Sequence, residues 1–260
     1  MSESIRAVDR ALDILLCFSN QTPQLTMTQI AERVGMNKST VHRLLGTLER
    51  RRFVQRNPTT GYYQLGIRLL QMAYLTLGHN DIRRSAEPFL HHLCERHRET
   101  ITLSVLDEAD VVFLDVIESP QRVKLAASVG QRMPAFSTAA GKAILAYLPN
   151  ATVSRILERG MPHFTQYTIR TKEAVLANLD LVREQGFAIS LQEYEDGINA
   201  VAAPILNTEN FPIAAVTVAG PAYRLTHEQM VETGPSVREI SRLIAQEIAL
   251  ASEPDIRVES

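Results

Sequence analysis

The chain has 260 residues, 45% of them hydrophobic, with 27 Lys or Arg against 29 Asp or Glu. That composition supplies apolar residues for one large or two smaller cores and excludes an intrinsically disordered chain. Two cysteines, Cys17 and Cys94, make no disulfide framework; the start Met1-Ser2-Glu3-Ser4-Ile5-Arg6 lacks the layout of a signal peptide, and no apolar run has the length of a membrane span. A soluble protein of a reducing cytoplasm is therefore expected. The near-neutral total hides an asymmetry: residues 1–68 carry ten basic and five acidic side chains, +5, and the remainder 17 and 24, −7. A basic head on an acidic body suggests a polyanion-binding module joined to a regulatory or assembly module.

Ile5, Val8, Leu12 and Leu15, widened by Ala11 and Leu16, form one stripe of a helix over about Ser4 to Phe18. Core packing against the two helices that follow is the expected role of this stripe. Asn20 to Gln24 is a polar, Pro-containing connection. Thr26 followed by Gln29, just ahead of Ile30, Ala31 and Val34, spells a capping box that opens a short helix, and Gly35 ends it. Asn37 is placed to cap a second helix with Val41, Leu44, Leu45 and Leu48 on its buried face. Lys38, Ser39, Thr40, His42, Arg43 and Thr47 then face outward. Two helices across a tight turn, the second with an apolar back and a cationic front, make a helix-turn-helix whose second helix enters the major groove.

After Arg50, Arg51 and Arg52, the strand-like runs Phe53 to Arg56 and Tyr62 to Leu65 flank Asn57-Pro58-Thr59-Thr60-Gly61, a hairpin that reads as a wing. From Lys38 to Arg56 six basic residues face one acid, Glu49. Arginines beside a wing suit phosphates, which position a protein without reading sequence.

Ser39-Thr40-Val41-His42-Arg43-Leu44-Leu45 with Thr47-Leu48, and later Tyr63-Gln64-Leu65-Gly66, resembles the DNA-binding domain of the isocitrate-lyase-regulator (IclR) family. The resemblance implies a dimer that also uses its first helix, so part of the first stripe would face a second subunit. Gly66 to Leu77 is predicted as a strongly apolar helix ended by Gly78, and is expected to link the domains and pair with its counterpart in a dimer. Asp81 starts another helix, with a kink or a late start expected at Pro88. His91, His92, Cys94 and His97 on it have a possible metal-site geometry, but no second ligand cluster follows, so no metal and no cofactor is expected.

From Thr100 the texture becomes strand-like: Ile101 to Leu106 and Val111 to Ile117 flank the polar turn Asp107-Glu108-Ala109-Asp110, and a third strand is predicted around Val123 to Ser128. Small residues from Ser137 lead into a helix whose free N-terminal amides suit an anion. Helical stretches follow at Asn150 to Arg159 and around Leu176, Leu179 and Val182, then a strand over Ala188 to Leu191 and a last helix from about Thr226 to Leu250, before a polar tail over Ser252 to Ser260. Without a Gly-rich nucleotide fingerprint, this order suggests an antiparallel sheet flanked by helices, an α+β sensor. Pro134, Ser137-Thr138-Ala139, Gly141-Lys142-Ala143, Phe164-Thr165, Tyr167-Thr168-Ile169, Glu193, Gly197, Ala202-Ala203-Pro204 and the run Ile213 to Pro221 continue the IclR resemblance.

That resemblance implies a GAF-like domain binding a small carboxylate. The amides of Ala139 and Ala140 would hold the carboxylate, Leu125 and Met133 would form apolar walls, Ser190 and Thr217 polar edges, and Ile198, Ala200 and Ala219 the floor. Ser190, Ala200 and Ala219 stand where family members often carry Asp, Cys and Ser. These departures imply a less polar pocket and an effector with a larger, less hydroxylated body, such as an aromatic acid. Glu193, Glu195 and Asp196 read as a solvated acidic loop, since no nucleophile elbow, zincin spacing or phosphate loop supports an enzyme.

The expected organisation is a winged helix-turn-helix over 1–65, a linker helix over 66–79, and an effector-binding and oligomerisation domain over 80–260. The expected function is operator binding that responds to an effector, by a homodimer or dimer of dimers on a pseudo-palindrome. Lys38, Ser39, Thr40, His42, Arg43 and Thr47 would lie at the groove, with Arg51, Arg52 and Arg56 on the backbone. The alternative is an effector-independent DNA-binding oligomer whose second domain is structural.

Overall fold

A computed structural model describes residues 5–19, 22–78 and 81–252, without the side chains of 73–78, 81 and 252. Residues 1–4 of the expected signal-free start, the connection at Asn20 and Gln21 and the polar tail beyond 252 lie outside the described residues. The chain divides into two units, residues 1–79 and 80–260.

In the first unit, α1 (Arg6–Leu16), α2 (Met27–Arg33) and α3 (Lys38–Arg50) enclose a core of Ile14, Leu25, Ile30, Val41, Leu45 and Val54. The capping box forms at α2: Thr26 Oγ1 accepts from the Gln29 amide at 3.3 Å, and Gln29 Oε1 accepts from the Thr26 amide at 2.8 Å. Gly35 turns the chain at φ +61°. Asn37 occupies the N-cap of α3 in extended conformation, but its side chain makes no cap hydrogen bond; its carbonyl takes the amides of Thr40 and Val41.

Core packing, expected for the α1 stripe, holds for only part of it. Ile14 and Phe18 are buried, and Ala11 and Leu15 pack beside them, while Ile5, Val8, Leu12 and Leu16 are 69, 52, 50 and 80% exposed within the chain. Periodicity locates a stripe but not its neighbours, and α3 meets α1 one residue further round.

A three-stranded sheet forms the wing, ordered β1 (Gln24–Leu25), β3 (Tyr63–Leu65), β2 (Val54–Arg56). Its tip is tied by Asn57, whose Oδ1 accepts from the amides of Thr59 and Thr60. Gly66 follows because nothing larger fits: a Cβ there would lie 2.2 Å from the Arg52 carbonyl oxygen. Helix α4 (Ile67–Gly78) continues with Ile67, Leu70 and Met72 exposed. Ala73, Tyr74 and Leu77, expected on its apolar face, lie outside the described side chains.

The second unit is built on a six-stranded antiparallel sheet, ordered β6 (Arg132–Pro134), β5 (Asp110–Ile117), β4 (Thr100–Asp107), β9 (Pro212–Pro221), β8 (Ile198–Leu206), β7 (Ala188–Leu191). Helices α5 (Asp81–His97) and α9 (His227–Ser252) pack together and against the sheet, while α6 (Ala139–Leu145), α7 (Asn150–Glu158) and α8 (Lys172–Gln185) share another core with it. Strands β8 and β9 are buried along most of their length and are mostly apolar, broken by Asn199 and Thr217. Register sets Thr102 beside Thr217, Thr217 beside Ala202, and Ala219 beside Ala200, a row of small and hydroxyl side chains on one face.

Of the two alternatives at Pro88, a kink or a late start, the late start does not occur: helix α5 runs from Asp81 through Pro88. One local expectation is corrected. No strand forms at Val123 to Ser128; the paired segment is Arg132–Pro134, while Gly130, at φ +83°, and Gln131 bond to Phe113 and turn the preceding loop away from the β5 edge. Val123 and Val129 are exposed there, so the apolar run has no sheet partner to make it a strand.

Candidate functional site

Two surfaces gather the residues singled out above, one in each unit. On α3, burial of Val41, Leu45 and Leu48 turns Lys38, Ser39, His42, Arg43 and Thr47 to solvent, with Thr40 half-buried. Thr47 is committed within its own helix: its hydroxyl donates to the Arg43 carbonyl at 3.1 Å and accepts from Arg50 Nη2 at 3.2 Å. Arg51, Arg52 and Arg56 are exposed at the α3 end and on the wing. The Arg56 guanidinium lies 5.6 Å from the Tyr63 ring centre, a cation–π contact that anchors its stem to the wing. Arg52 holds φ +63°, fixed by its carbonyl, which accepts from the Arg68 amide at 3.1 Å. Sequence reasoning missed Arg10 and Arg50, which border one shallow groove with Thr40, His42, Arg43 and Thr47. Their signal was the arginine itself, but Arg10 is brought there only by the crossing of α1 on α3.

In the second unit a cavity opens where the sheet meets α6, and all nine residues proposed for an effector line it. The sheet supplies Thr217, Ala219, Ala200 and Ser190; β6 supplies Met133, and Ile198 stands at the start of β8. Leu125 reaches it from the irregular loop. Ala139 and Ala140 open α6, where Thr138 is the N-cap and its Oγ1 accepts from the Gly141 amide at 3.2 Å. The first two amides of the helix therefore have no intrahelical acceptor. Gly141 permits this turn, since a Cβ there would lie 2.1 Å from the Ala135 carbonyl oxygen.

Sequence reasoning missed seven lining residues: Thr102, Val111 and Phe113 on the strands, Ser137 and Thr138 before α6, and Tyr194 and Glu195 on the β7–β8 loop. Thr217 Oγ1 is buried with no partner among the described residues, so the cavity holds an unsatisfied hydroxyl. Ser190 Oγ donates to the Ser137 carbonyl at 3.4 Å. Near the mouth, Phe164 bridges Phe136 and Tyr194 at ring separations of 6.2 and 4.9 Å.

The acidic loop is not uniformly solvated. Glu195 and Asp196 are exposed, but Glu193 is buried and paired with Lys142, whose side chain has no exposed surface. Lys142 Nζ also donates to the Ile189 carbonyl at 2.7 Å. Burial pushes the Lys142 ammonium below its ordinary range and the Glu193 carboxyl above its own, and each charge pulls the other back. Among the described residues no His, Cys, Asp and Glu cluster suits a metal; His97 meets Ser236 at 3.3 Å, and Cys94 Sγ meets the Glu118 carbonyl at 3.5 Å. No described helix is long and apolar enough to cross a membrane.

The chain matches the family model of the bacterial transcriptional regulator IclR C-terminal domain over residues 74–246 and that of the IclR helix-turn-helix domain over residues 7–58. It is 36% identical, over 217 residues, to the HTH-type transcriptional regulator XynR of Escherichia coli (strain K12), covering 83% of this chain and 86% of that one. The crystal structure of an IclR transcriptional regulator from Alicyclobacillus acidocaldarius matches with a TM-score of 0.82 at 30% identity, over 95% of this chain and 100% of that one. An IclR homolog from Microbacterium hydrocarbonoxydans, complexed with 4-hydroxybenzoate, shares the fold with a TM-score of 0.84 at 23% identity, over 94% and 99%.

Proposed function

This chain belongs to the IclR family of DNA-binding transcriptional regulators, and from that membership we propose that its operator affinity is set by a small carboxylate held in the cavity at α6. It is a regulator and not an enzyme, as its named relatives are. What supports the effector reading most is the convergence of nine residues, from strands, loops and a helix start, on a single cavity with an unpartnered hydroxyl. The carboxylate lies against the amides of Ala139 and Ala140. Thr217 and Ser190 meet polar groups on the body, which packs on Leu125, Met133 and Ile198. Alanines at 200 and 219 leave room for a flat ring and offer nothing to a heavily hydroxylated ligand, so the effector is an aromatic acid rather than a short oxoacid.

In the first unit, taken as a winged head over 1–65, Lys38, Ser39, Thr40, His42 and Arg43 meet bases and adjacent phosphates, Thr47 stands beside them with its hydroxyl bonded within α3, and Arg51, Arg52 and Arg56 meet the backbone. The exposed stripe Ile5, Val8, Leu12 and Leu16, with the linker helix over 66–79, pairs two heads on a pseudo-palindrome. The effector acts only through its different affinity for the two arrangements of the heads.

Thermal-shift titration with aromatic acids, sugar acids and short oxoacids tests the ligand class, with 4-hydroxybenzoate included on the cavity's own chemistry. Stabilisation by aromatic acids is expected. Stabilisation by glyoxylate or pyruvate alone contradicts the class, and ligand-insensitive footprints on retained genomic fragments would leave the second unit a scaffold.

A further inference from the structure

A second groove in the sensor unit is left unused by the effector reading. It lies where the end of α8, the β8–β9 turn and the middle of α9 meet, and is open to solvent. Three arginines line it: Arg183 on α8, and Arg238 and Arg242 one turn apart on α9.

Two of the three are set in place by the backbone. Arg183 Nε donates to the Ala146 carbonyl at 2.8 Å, and its Nη1 donates to Asp180 Oδ1 at 2.6 Å. Arg238 Nη1 donates to the Gln185 carbonyl at 2.9 Å, and its stem passes over Gly186, where a Cβ would come within 2.5 Å of Arg238 Cδ. These bonds use only part of each five-donor guanidinium, so both side chains are ordered and still have donors to give. Arg242 is exposed, with no hydrogen-bond or ion-pair partner among the described residues. The lining carries one acid, Glu184, and the neutral polar side chains Tyr147, Asn207, Asn210, Ser241 and Gln246. Asn207 Oδ1 is already occupied by the amides of Glu209 (3.0 Å) and Phe211 (2.8 Å), which leaves its NH2 as a further donor.

We propose that this groove binds a small phosphorylated metabolite, a phosphate monoester whose dianionic head sits among Arg183, Arg238 and Arg242 and whose polar body lies along Tyr147 and Asn207. Guanidinium forks match phosphate oxygens in pairs, and three of them suit a tetrahedral dianion better than a planar carboxylate. A nucleic-acid backbone fits less well. Residues 69–260 carry a net −7, and the exposed Glu239 and Glu247 on the same helix interrupt any continuous cationic track. The site is separate from the effector cavity, with which it shares no lining residue.

Isothermal titration of the full-length protein at low salt with glucose 6-phosphate, glycerol 3-phosphate and inorganic pyrophosphate, with glucose as control, tests the site. Saturable binding tighter than about 1 mM is expected for at least one phosphate and not for glucose. Arg242→Ala, which breaks no internal bond, is expected to weaken it at least about tenfold, and Arg183→Lys, which keeps the charge but loses the fork, to weaken it as well. The Ala200→Phe variant, which fills the effector cavity, is expected to leave it unchanged. Absence of saturable binding by all three phosphates, binding that survives Arg242→Ala, or binding lost in Ala200→Phe would overturn the proposal.

Discussion

Lys142 is fully buried in the sensor unit, and its ammonium meets the carboxylate of Glu193, a residue 51 positions away on the loop that also carries Tyr194 and Glu195 to the mouth of the cavity. Lys142 lies on α6, the helix that opens with Ala139 and Ala140, so one ion pair ties this helix to the loop at the cavity's mouth. The pair is reinforced from the backbone, since Lys142 donates to the Ile189 carbonyl and Thr168 Oγ1 donates to the Glu193 carbonyl at 2.7 Å. Removing one partner strands a buried charge. Lys142→Met alone or Glu193→Leu alone is expected to cost about 3–5 kcal/mol, and the double variant clearly less than the sum. Urea unfolding of the four proteins checks this; single losses below about 1 kcal/mol would mean that the pair is solvated.

Arg43 projects from α3 opposite the buried Val41 and Leu45, with the fork geometry that pairs with guanine O6 and N7. Arg43→Ala is expected to cost about 1–3 kcal/mol of operator affinity and to relax preference at one base pair. Arg52→Ala is expected to weaken all duplexes alike and to lower the salt slope by about one. Fluorescence anisotropy on matched and single-mismatch duplexes separates the two. Unchanged affinity in Arg43→Ala would remove α3 from the groove.

Val8 and Leu12 are about half exposed on the α1 face turned from the core, and they border an apolar groove with Leu44 and Phe53. Burial in a second copy accounts for such a face better than solvent does. The double variant Val8→Glu/Leu12→Glu is expected to keep its helical circular dichroism while sedimenting as a smaller species. An unchanged sedimentation coefficient would show that this face makes no subunit contact.

His97 is half-buried on α5, against Ser236 of α9, and burial holds its imidazole below the ordinary 6.5, with Arg96 and His92 acting in the same direction. A depressed folded value means that the native state binds fewer protons than the unfolded chain below that pH. The stability it contributes is therefore present above about 6.5 and is lost as pH falls through the lowered value. Denaturation midpoints are expected to drop from about pH 7 to about pH 5, and to drop less in His97→Gln. Equal slopes for the two proteins would show that other groups carry the acid sensitivity.

Legibility in the sequence followed the range of the interaction. The Thr26 and Gln29 box, the Asn57 turn and the β4–β5 hairpin are local, and each formed where the residues indicated. The cavity residues were named from motif likeness, and the fold gathers them because the β4, β8 and β9 register aligns Thr102, Thr217, Ala219 and Ala200. What stayed hidden was long-range. The period of α1 could not say which side α3 would cover, Val123 to Ser128 had strand-like residues but no free edge, and Glu193 looked solvated because its partner is remote. Tyr194 and Glu195 were missed because a loop's path over a cavity depends on Lys142 and Thr168, not on the loop's own composition.

Whether occupancy of the α6 cavity changes grip on DNA is tested most directly by measuring operator affinity with and without an aromatic acid already shown by thermal shift to saturate the protein, in the natural chain and in Ala200→Phe. A ligand-dependent change in Kd in the natural chain that vanishes in Ala200→Phe is the predicted result. The same Kd with and without a saturating ligand in the natural chain would contradict it.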